Sequence, residues 1–376
     1  MTTVTEKEIG YKLVDARPPL TISTNPADFP PFDPTEDTWR YLPKKKFNAF
    51  ISHAPASGNS ALTMNGKLLK SKISNSSSDS LRTRDLASAR AIHDGHDQYE
   101  IVVDKASTQN GLIELDLNSD LPSNVLIHIV VKREVTAQLI IRDRNKSDTA
   151  LNISLTLEKA ANVDCVLFTQ PEAIGAHYGH VSVNVGRDAK LNMGVISLGG
   201  DIVRRTFDSK FADVSGELDL LGCTFSSKGQ YVEHRTVVDH NEPHCKSFVD
   251  FRSAVSGDGT RSVWIGDTII RKNAVGSNTY ETNRNLVLTP GARADSVPNL
   301  EIDTGEVVGA GHASATGRLD AEQMFYLTSR GIAPLDAMKL IVTGFFANIV
   351  ERMNLPSIVE DVVSAVANKL EISVVK

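Results

Sequence analysis

The sequence predicts a mainly β chain that ends in a small helical unit. Three observations carry this expectation. Apolar and polar residues alternate in short runs through the middle of the chain. No amphipathic helix of useful length interrupts residues 120–305. Beyond residue 318 the apolar spacing changes from two to three and four, the helical period.

The period-two runs include Leu151, Ile153, Leu155 and Leu157, then Val163, Cys165 and Leu167, then Val181, Val183 and Val185. Further runs centre on Tyr231–Val238, Val263–Ile265, Leu286–Leu288 and Leu300–Ile302, and Gly186-Arg187-Asp188, Asp258-Gly259 and Pro290-Gly291 punctuate them as turns. A sandwich, a barrel and a coiled solenoid all fit this pattern. The stretch exceeds the roughly 100 residues of a typical sandwich, and a solenoid accommodates the surplus by stacking rungs that cover one another's apolar edges. The spacing is too irregular to choose among them on pattern alone.

In the C-terminal unit, Asp320 with Gln323 can cap a helix that runs to about Arg330 and stops at Gly331. Pro334 suits the first turn of a second helix, whose apolar stripe is Met338, Ile341, Val342, Phe345, Ile349 and Met353. Phe346 widens that apolar side and is expected to pack on the β body or the next helix. Pro356 interrupts the chain, Ser357 with Glu360 forms a capping box, and Val359, Val362, Val363, Val366 and Leu370 make a third stripe. At the other end, Pro18-Pro19, Pro26, Pro30-Pro31 and Pro34 exclude a long helix or central strand, and Trp39 and Tyr41 are the first apolar anchors. The serine-rich residues 71–82 read as a surface loop.

A net charge of -6 and a pI near 5.9 favour neither nucleic acid nor an anionic membrane as partner. The triplet Lys44-Lys45-Lys46 is expected to be a solvated face. Three cysteines without a CxxC pair make no disulfide scaffold. The start MTTVTEKEIG lacks the apolar run of a signal peptide and no window approaches 18 apolar residues, so a reducing cytoplasm is the expected compartment.

The densest polar cluster is Glu233, His234, Asp239, His240, His244 and Cys245. These are metal-ligand types, and His240, His244 and Cys245 can approach across a turn at Pro243, but the spacing is unlike a structural zinc site. Hydrogen bonding at turns and strand ends is the expected role, with His234 and Asp239 near strand ends. Cys245 beside histidine is a conceivable nucleophile, yet nothing supplies an oxyanion hole, and Cys165 and Cys223 fall in β segments as small buried residues. Asp213, Glu217 and Asp219 offer carboxylates for a β-helical glycosidase, but solvated strand faces explain them. His312, in GAGHASATGRLD, sits among small residues that let another chain approach, and imidazole can bind iron. No GxxxxGK[ST] loop occurs, so ATP is not expected to bind by that mechanism.

Several ordered motifs resemble the SufB/SufD family of the SUF iron–sulfur cluster assembly machinery: Asp239-His240, Pro243-His244-Cys245, Pro298 through Ile302, and His312 through Asp320. Phe325-Tyr326-Leu327 and Ser329 through Ile332 complete the series, which covers roughly residues 235–350. The run HASATGRLDAEQMFYLTSRGI is most similar to the SufD side. The resemblance implies a right-handed parallel β-helix at 91–318, after an N-terminal region at 1–90 and before a helical domain at 319–376. It implies a non-catalytic subunit that pairs with SufB and binds the ATPase SufC, where ATP would be hydrolysed. The SufC contact would fall on Asp336, Met338, Val342, Phe345, Phe346 and Ile349. His312 would face SufB and aid a transient cluster or iron entry.

The sequence departs from the family where a cysteine often precedes this histidine; Gly309, Ala310 and Gly311 stand there, and His312-Ala313-Ser314-Ala315 replaces HGAT. The chain alone is therefore expected to hold no stable cluster, with SufB supplying soft ligands. The isolated chain can also pair with itself. A purely structural binding module and a thiol-bearing SufB-like scaffold are the alternatives.

Overall fold

The computed structural model describes residues 21–33, 35–36, 38–43, 53–75, 80–171 and 175–374; Lys44-Lys45-Lys46, Pro18-Pro19, Pro34 and part of the serine-rich loop lie outside them. Three short strands, β1 (Leu62–Met64), β2 (Lys67–Leu68) and β3 (Lys72–Ser74), precede helix α1 (Leu86–His93). Eight strands follow: β4 (His96–Val103), β5 (Ile113–Leu117), β6 (Ser123–Val131), β7 (Thr136–Asp143), β8 (Thr149–Leu157), β9 (Asn162–Thr169), β10 (Ala176–Val185) and β11 (Lys190–Ser197). Eight more complete the β body: β12 (Ile202–Phe211), β13 (Glu217–Ser227), β14 (Tyr231–His240), β15 (Lys246–Ser256), β16 (Arg261–Ile270), β17 (Asn278–Val287), β18 (Arg293–Ile302) and β19 (Gly309–Arg318). Helices α2 (Ala321–Ser329), α3 (Pro334–Glu351) and α4 (Pro356–Val374) close the chain.

From β4 onward, consecutive strands alternate between two sheets, and each pairs in parallel with the strand two places on. The result is a β-solenoid of about 8 turns. Antiparallel pairing occurs only at its beginning among the described strands, where β1 joins β2 and β5, and β3 joins β4. Inward-facing Val, Ile and Leu from both sheets form one continuous core. Each turn buries the apolar rim of the one before it.

A repeated corner joins the even strands to the odd ones. Glu134, Ala160, Asp188, Ser215, His244 and Gly276 all take positive φ at this corner, between 54° and 73°. Each donates its N–H to a carbonyl one turn on, as in Ala160 to Lys159's successor corner at Arg187 (2.8 Å) and His244 to Val275 (2.8 Å). The left-handed conformation turns the chain, and the ladder of corner hydrogen bonds offsets its cost for the five residues with a β-carbon.

The outer face of the odd-strand sheet is covered by α3 and α4. Val342, Phe346, Ile349 and Met353 pack on Val166, Ile196, Leu221 and Cys223. The fit leaves no room at Gly194, where a β-carbon would stand 2.6 Å from Met353 Sδ. The outer face of the even-strand sheet is covered by Trp39 and the segment that enters α1. There Arg82 and Arg84 bind Asp208, and Arg204 binds Asp85 and Glu233 beneath the Trp39 ring. No helix among the described residues is long and apolar enough to cross a membrane.

Candidate functional site

The solenoid ends at β18 and β19, and no described strand pairs with the far edge of either. The inner face of these last turns follows from two hydrogen bonds across the interior and one between neighbouring strands of a sheet. Ser262 Oγ meets Ser253 Oγ (3.0 Å), Thr268 donates to Glu281 Oε2 (3.1 Å), and Asn285 donates to Thr316 Oγ1 (3.1 Å). On β17 the inward residues are therefore Thr279, Glu281, Asn283 and Asn285. Their register partners on β19 are Ala310, His312, Ser314 and Thr316. Register partners on parallel neighbours project to the same face. His312 thus belongs to the layer directly beyond Glu281, and it is exposed because no further turn stacks on it.

Glu281 is 1% exposed. Burial pushes its carboxyl up to about 7, the hydrogen bond from Thr268 opposes that rise, and the charge of Asp267 adds to it. Its Oε1 has no partner. Neither composition nor spacing pointed to this residue. It reads as one polar position in an alternating strand, and only the stacking of turns reveals that it faces inward.

Helix α2 follows β19 at once, with Asp320 as N-cap accepting from Glu322 N (2.8 Å) rather than from Gln323. Gly331 follows in the left-handed region (φ 87°) and ends the turn as expected. Phe325 and Tyr326 on α2 are 72% and 54% exposed, and they border an apolar groove with Leu327 and Ile341. The residues expected to face a partner divide differently. Val342, Phe346 and Ile349 are buried against the sheet and α4, because the solenoid presents an apolar outer face that must be covered. Met338 and Phe345 are half-buried at the rim, and Asp336 is exposed beside Lys339. Phe346 packs at home, as the apolar spacing by itself favours and unlike the contact that the resemblance implies; Val363 is exposed and falls off the third stripe.

The His234–Cys245 cluster is not brought together. His234 lies within β14, not near its end, and points inside the coil, where its ring meets Ser197 Oγ (3.0 Å) and Thr224 Oγ1 (3.4 Å). His240 points inward three inner-face positions further along β14 and bonds Ser247 Oγ (2.8 Å), which in turn bonds Thr279 (2.6 Å). His244 is the exposed corner residue of its turn, and Asp239 binds Arg271 (2.9 Å). Burial holds His234 down at about 3 and His240 at about 4, and pushes the Cys245 thiol up to about 11, so these two imidazoles are neutral and the thiol keeps its proton near neutral pH. No group of three or more His, Cys, Asp or Glu side chains among the described residues is placed to hold a metal ion. Cys165 and Cys223 are buried in strands, as expected.

The described geometry is that of a coil with one unsealed end carrying His312, and a helical unit beside it. A family model described as SUF system FeS cluster assembly, SufBD core domain, matches residues 118–345. An iron–sulfur cluster assembly SufBD family protein of Mycobacterium tuberculosis is 43% identical over 254 residues, 65% of this chain and 64% of that protein. The iron–sulfur cluster assembly protein SufD of Escherichia coli is 24% identical over 275 residues, 73% of this chain and 62% of that protein. SufD of Bacillus subtilis is 29% identical over 189 residues, 50% of this chain and 42% of that protein. The chain thus spans less than two thirds of the length of these relatives. The matched region takes in most of the solenoid, both edge strands, His312 and the start of α3, and on that extent the chain belongs to the SufBD family of the SUF iron–sulfur cluster assembly system, with SufD proteins among its relatives.

Proposed function

We propose that this chain is a non-catalytic scaffold subunit in SUF iron–sulfur cluster assembly, working in the cytoplasm. Its open end pairs with a SufB-like paralogue, and its helical unit receives a SufC-like ATPase that binds and hydrolyses ATP. His312 stands at the paired end and aids the nascent cluster or the entry of iron. The observation that carries this reading is the coincidence of two unpaired strand edges with His312 on the inner face between them. Unpaired edges recruit strands from other chains. The chain offers no accessible thiolate, since Cys165, Cys223 and Cys245 are all buried. Soft ligands for a cluster would come from the partner.

The helical contribution is recast by the packing. Val342, Phe346 and Ile349 hold the unit to the solenoid, and the exposed Phe325, Tyr326 and Leu340 with Asp336 form the surface offered to the ATPase. A domain that closes on ATP would thereby pull on α2, which is joined directly to β19 through Leu319 and Asp320.

The test is to co-express the full chain with SufB-like and SufC-like proteins, then measure subunit stoichiometry by light scattering and iron and sulfide anaerobically. His312→Ala is expected to assemble normally and lose cluster delivery. Equal cluster output from variant and wild type would sink the role of His312. Failure of the three chains to associate, with the isolated chain dimeric, would replace the paralogue by a second copy.

A further inference from the structure

The last closed turn of the coil holds a carboxyl group that the fold does not require. Most polar side chains that point into this end of the interior serve the packing. His240 bonds Ser247, Ser247 bonds Thr279, Asn283 donates to the carbonyl of Phe251 (3.0 Å), and Asn285 bridges Asn283 and Thr316. Glu281 is different: one oxygen accepts from Thr268, and the other is buried with no partner. A buried carboxyl with an unmet oxygen destabilises a fold, and an amide or apolar residue of similar size would fit at lower cost.

The neighbouring backbone is nonetheless cleared for it. At Gly266, across the interior, a β-carbon would stand 2.7 Å from Glu281 Oε2 and 2.5 Å from the Trp264 ring. The next residue outward in the same inner-face column is His312, paired in register with Glu281. Strand neighbours lie about 4.8 Å apart, and side chains on one face of a ladder run side by side. Imidazole and carboxylate bind first-row divalent ions with bonds of about 2.0–2.2 Å, so two donors on adjacent strands can share one ion. The thiol of this column, Cys165, lies four strands before Glu281 and out of reach of the pair, which selects an N/O-liganded ion over a cluster.

We propose that Glu281 and His312 form a two-ligand carboxylate–imidazole seat for a divalent transition-metal ion of the Fe(II) class at the open end of the coil. The ion is cargo, and its remaining coordination positions face the unsealed end, where a partner's groups complete the shell. This inference rests on the open-end reading given above and names the second residue of that site.

The probe is Co(II), titrated anaerobically into the full chain and followed by its visible absorption and by calorimetry. Wild type is expected to show one saturable submillimolar component that both Glu281→Gln and His312→Ala weaken at least tenfold. Glu281→Gln keeps an oxygen to accept from Thr268, and its urea midpoint should equal or exceed that of wild type. Should that variant fold poorly, Glu281→Asp retains the carboxylate on a shorter arm and is expected to weaken binding less than His312→Ala does. Co(II) bound only at sites that survive both substitutions, or no saturable component in wild type, would overturn the seat. Unchanged Co(II) binding in Glu281→Gln, with cluster delivery lost in a His312→Ala complex, would remove Glu281 while leaving the scaffold reading intact. Failure of the complex to form would remove the scaffold reading, and the titration of the chain alone would still decide the seat.

Discussion

At the scale of residues, ionisable side chains are buried both inside the coil, as His234 and His240 are, and on its covered outer face, where His180 accepts from Arg84 N. His180, His234 and His240 are buried and held neutral, at about 4, about 3 and about 4. In the unfolded chain each returns to about 6.5. Between pH 6.5 and about 4 the unfolded chain therefore binds protons that the folded chain refuses. Stability is full above that window and falls as pH drops through it, by up to roughly 1.4 kcal/mol per unit of depression for each group. Urea midpoints should decline from pH 6.5 to 4, and His234→Gln should flatten the decline. A slope unchanged by that substitution would show that His234 is not one of the groups responsible. Asp85, Asp143 and Asp208, whose carboxyls are held low by Arg204, by His177 and Arg205, and by Arg84 and Arg82 against the cost of burial, act in a separate window below pH 4. Gly266 gives a second residue-scale test. Gly266→Ala places a methyl group against Trp264 and Glu281 and should cost about 1–3 kcal/mol by overpacking, measured by urea unfolding at pH 7.

At the scale of elements, the two aromatic pairs of the helical unit have opposite roles, and mutation separates them. Phe346→Ala removes a side chain buried between α3 and the sheet and should cost about 3–5 kcal/mol of stability. Phe325→Ala on exposed α2 should change stability by less than about 0.5 kcal/mol and weaken ATPase binding in a calorimetric titration. Binding unaffected by Phe325→Ala would move the contact elsewhere. The helical unit was legible because its residues are amphipathic: Asp320, Gly331 and Pro334 stand at helix ends and Val342, Phe345 and Ile349 lie three or four apart. Which face was covered was not legible, since one stripe serves equally for a home sheet and a foreign groove. The strands were legible wherever one face met solvent. Those buried on both faces, such as β12 and β13, carry Arg204, Asp208 and Cys223 outside the coil and lose the simple alternation. The solenoid period was hidden by uneven turns. Register advances from Ala176 to Ile202 to Tyr231 to Arg261 to Arg293, which are steps of 26, 29, 30 and 32 residues. The constant feature is the left-handed corner residue, and only the last of its six occupants is glycine, so composition does not mark it.

At the scale of the whole molecule, a solenoid is a stack in which each turn is held by its neighbours, so stability is distributed along one axis. Here the first turns are closed by antiparallel β1 and β3, and the flanks by α1, α3 and α4, while no strand among the described residues caps the last turn. β19 is exposed from His312 to Arg318, whereas β10 is buried throughout. Amides of β18 and β19 that face the open edge meet no strand among the described residues and should exchange with deuterium in seconds, while those of β10 and β12 should be protected to the limit of global unfolding. Adding the SufB-like partner should slow exchange selectively in β18 and β19 and leave β10 unchanged. A homodimer formed at high concentration should protect the same two strands, because both partners would complete the same ladders. If the three-subunit complex forms while β18 and β19 exchange as fast as before, pairing does not use the open end. His312 would then face solvent in the complex as it does in the isolated chain, and a role for it at a joint between subunits would have no structural basis.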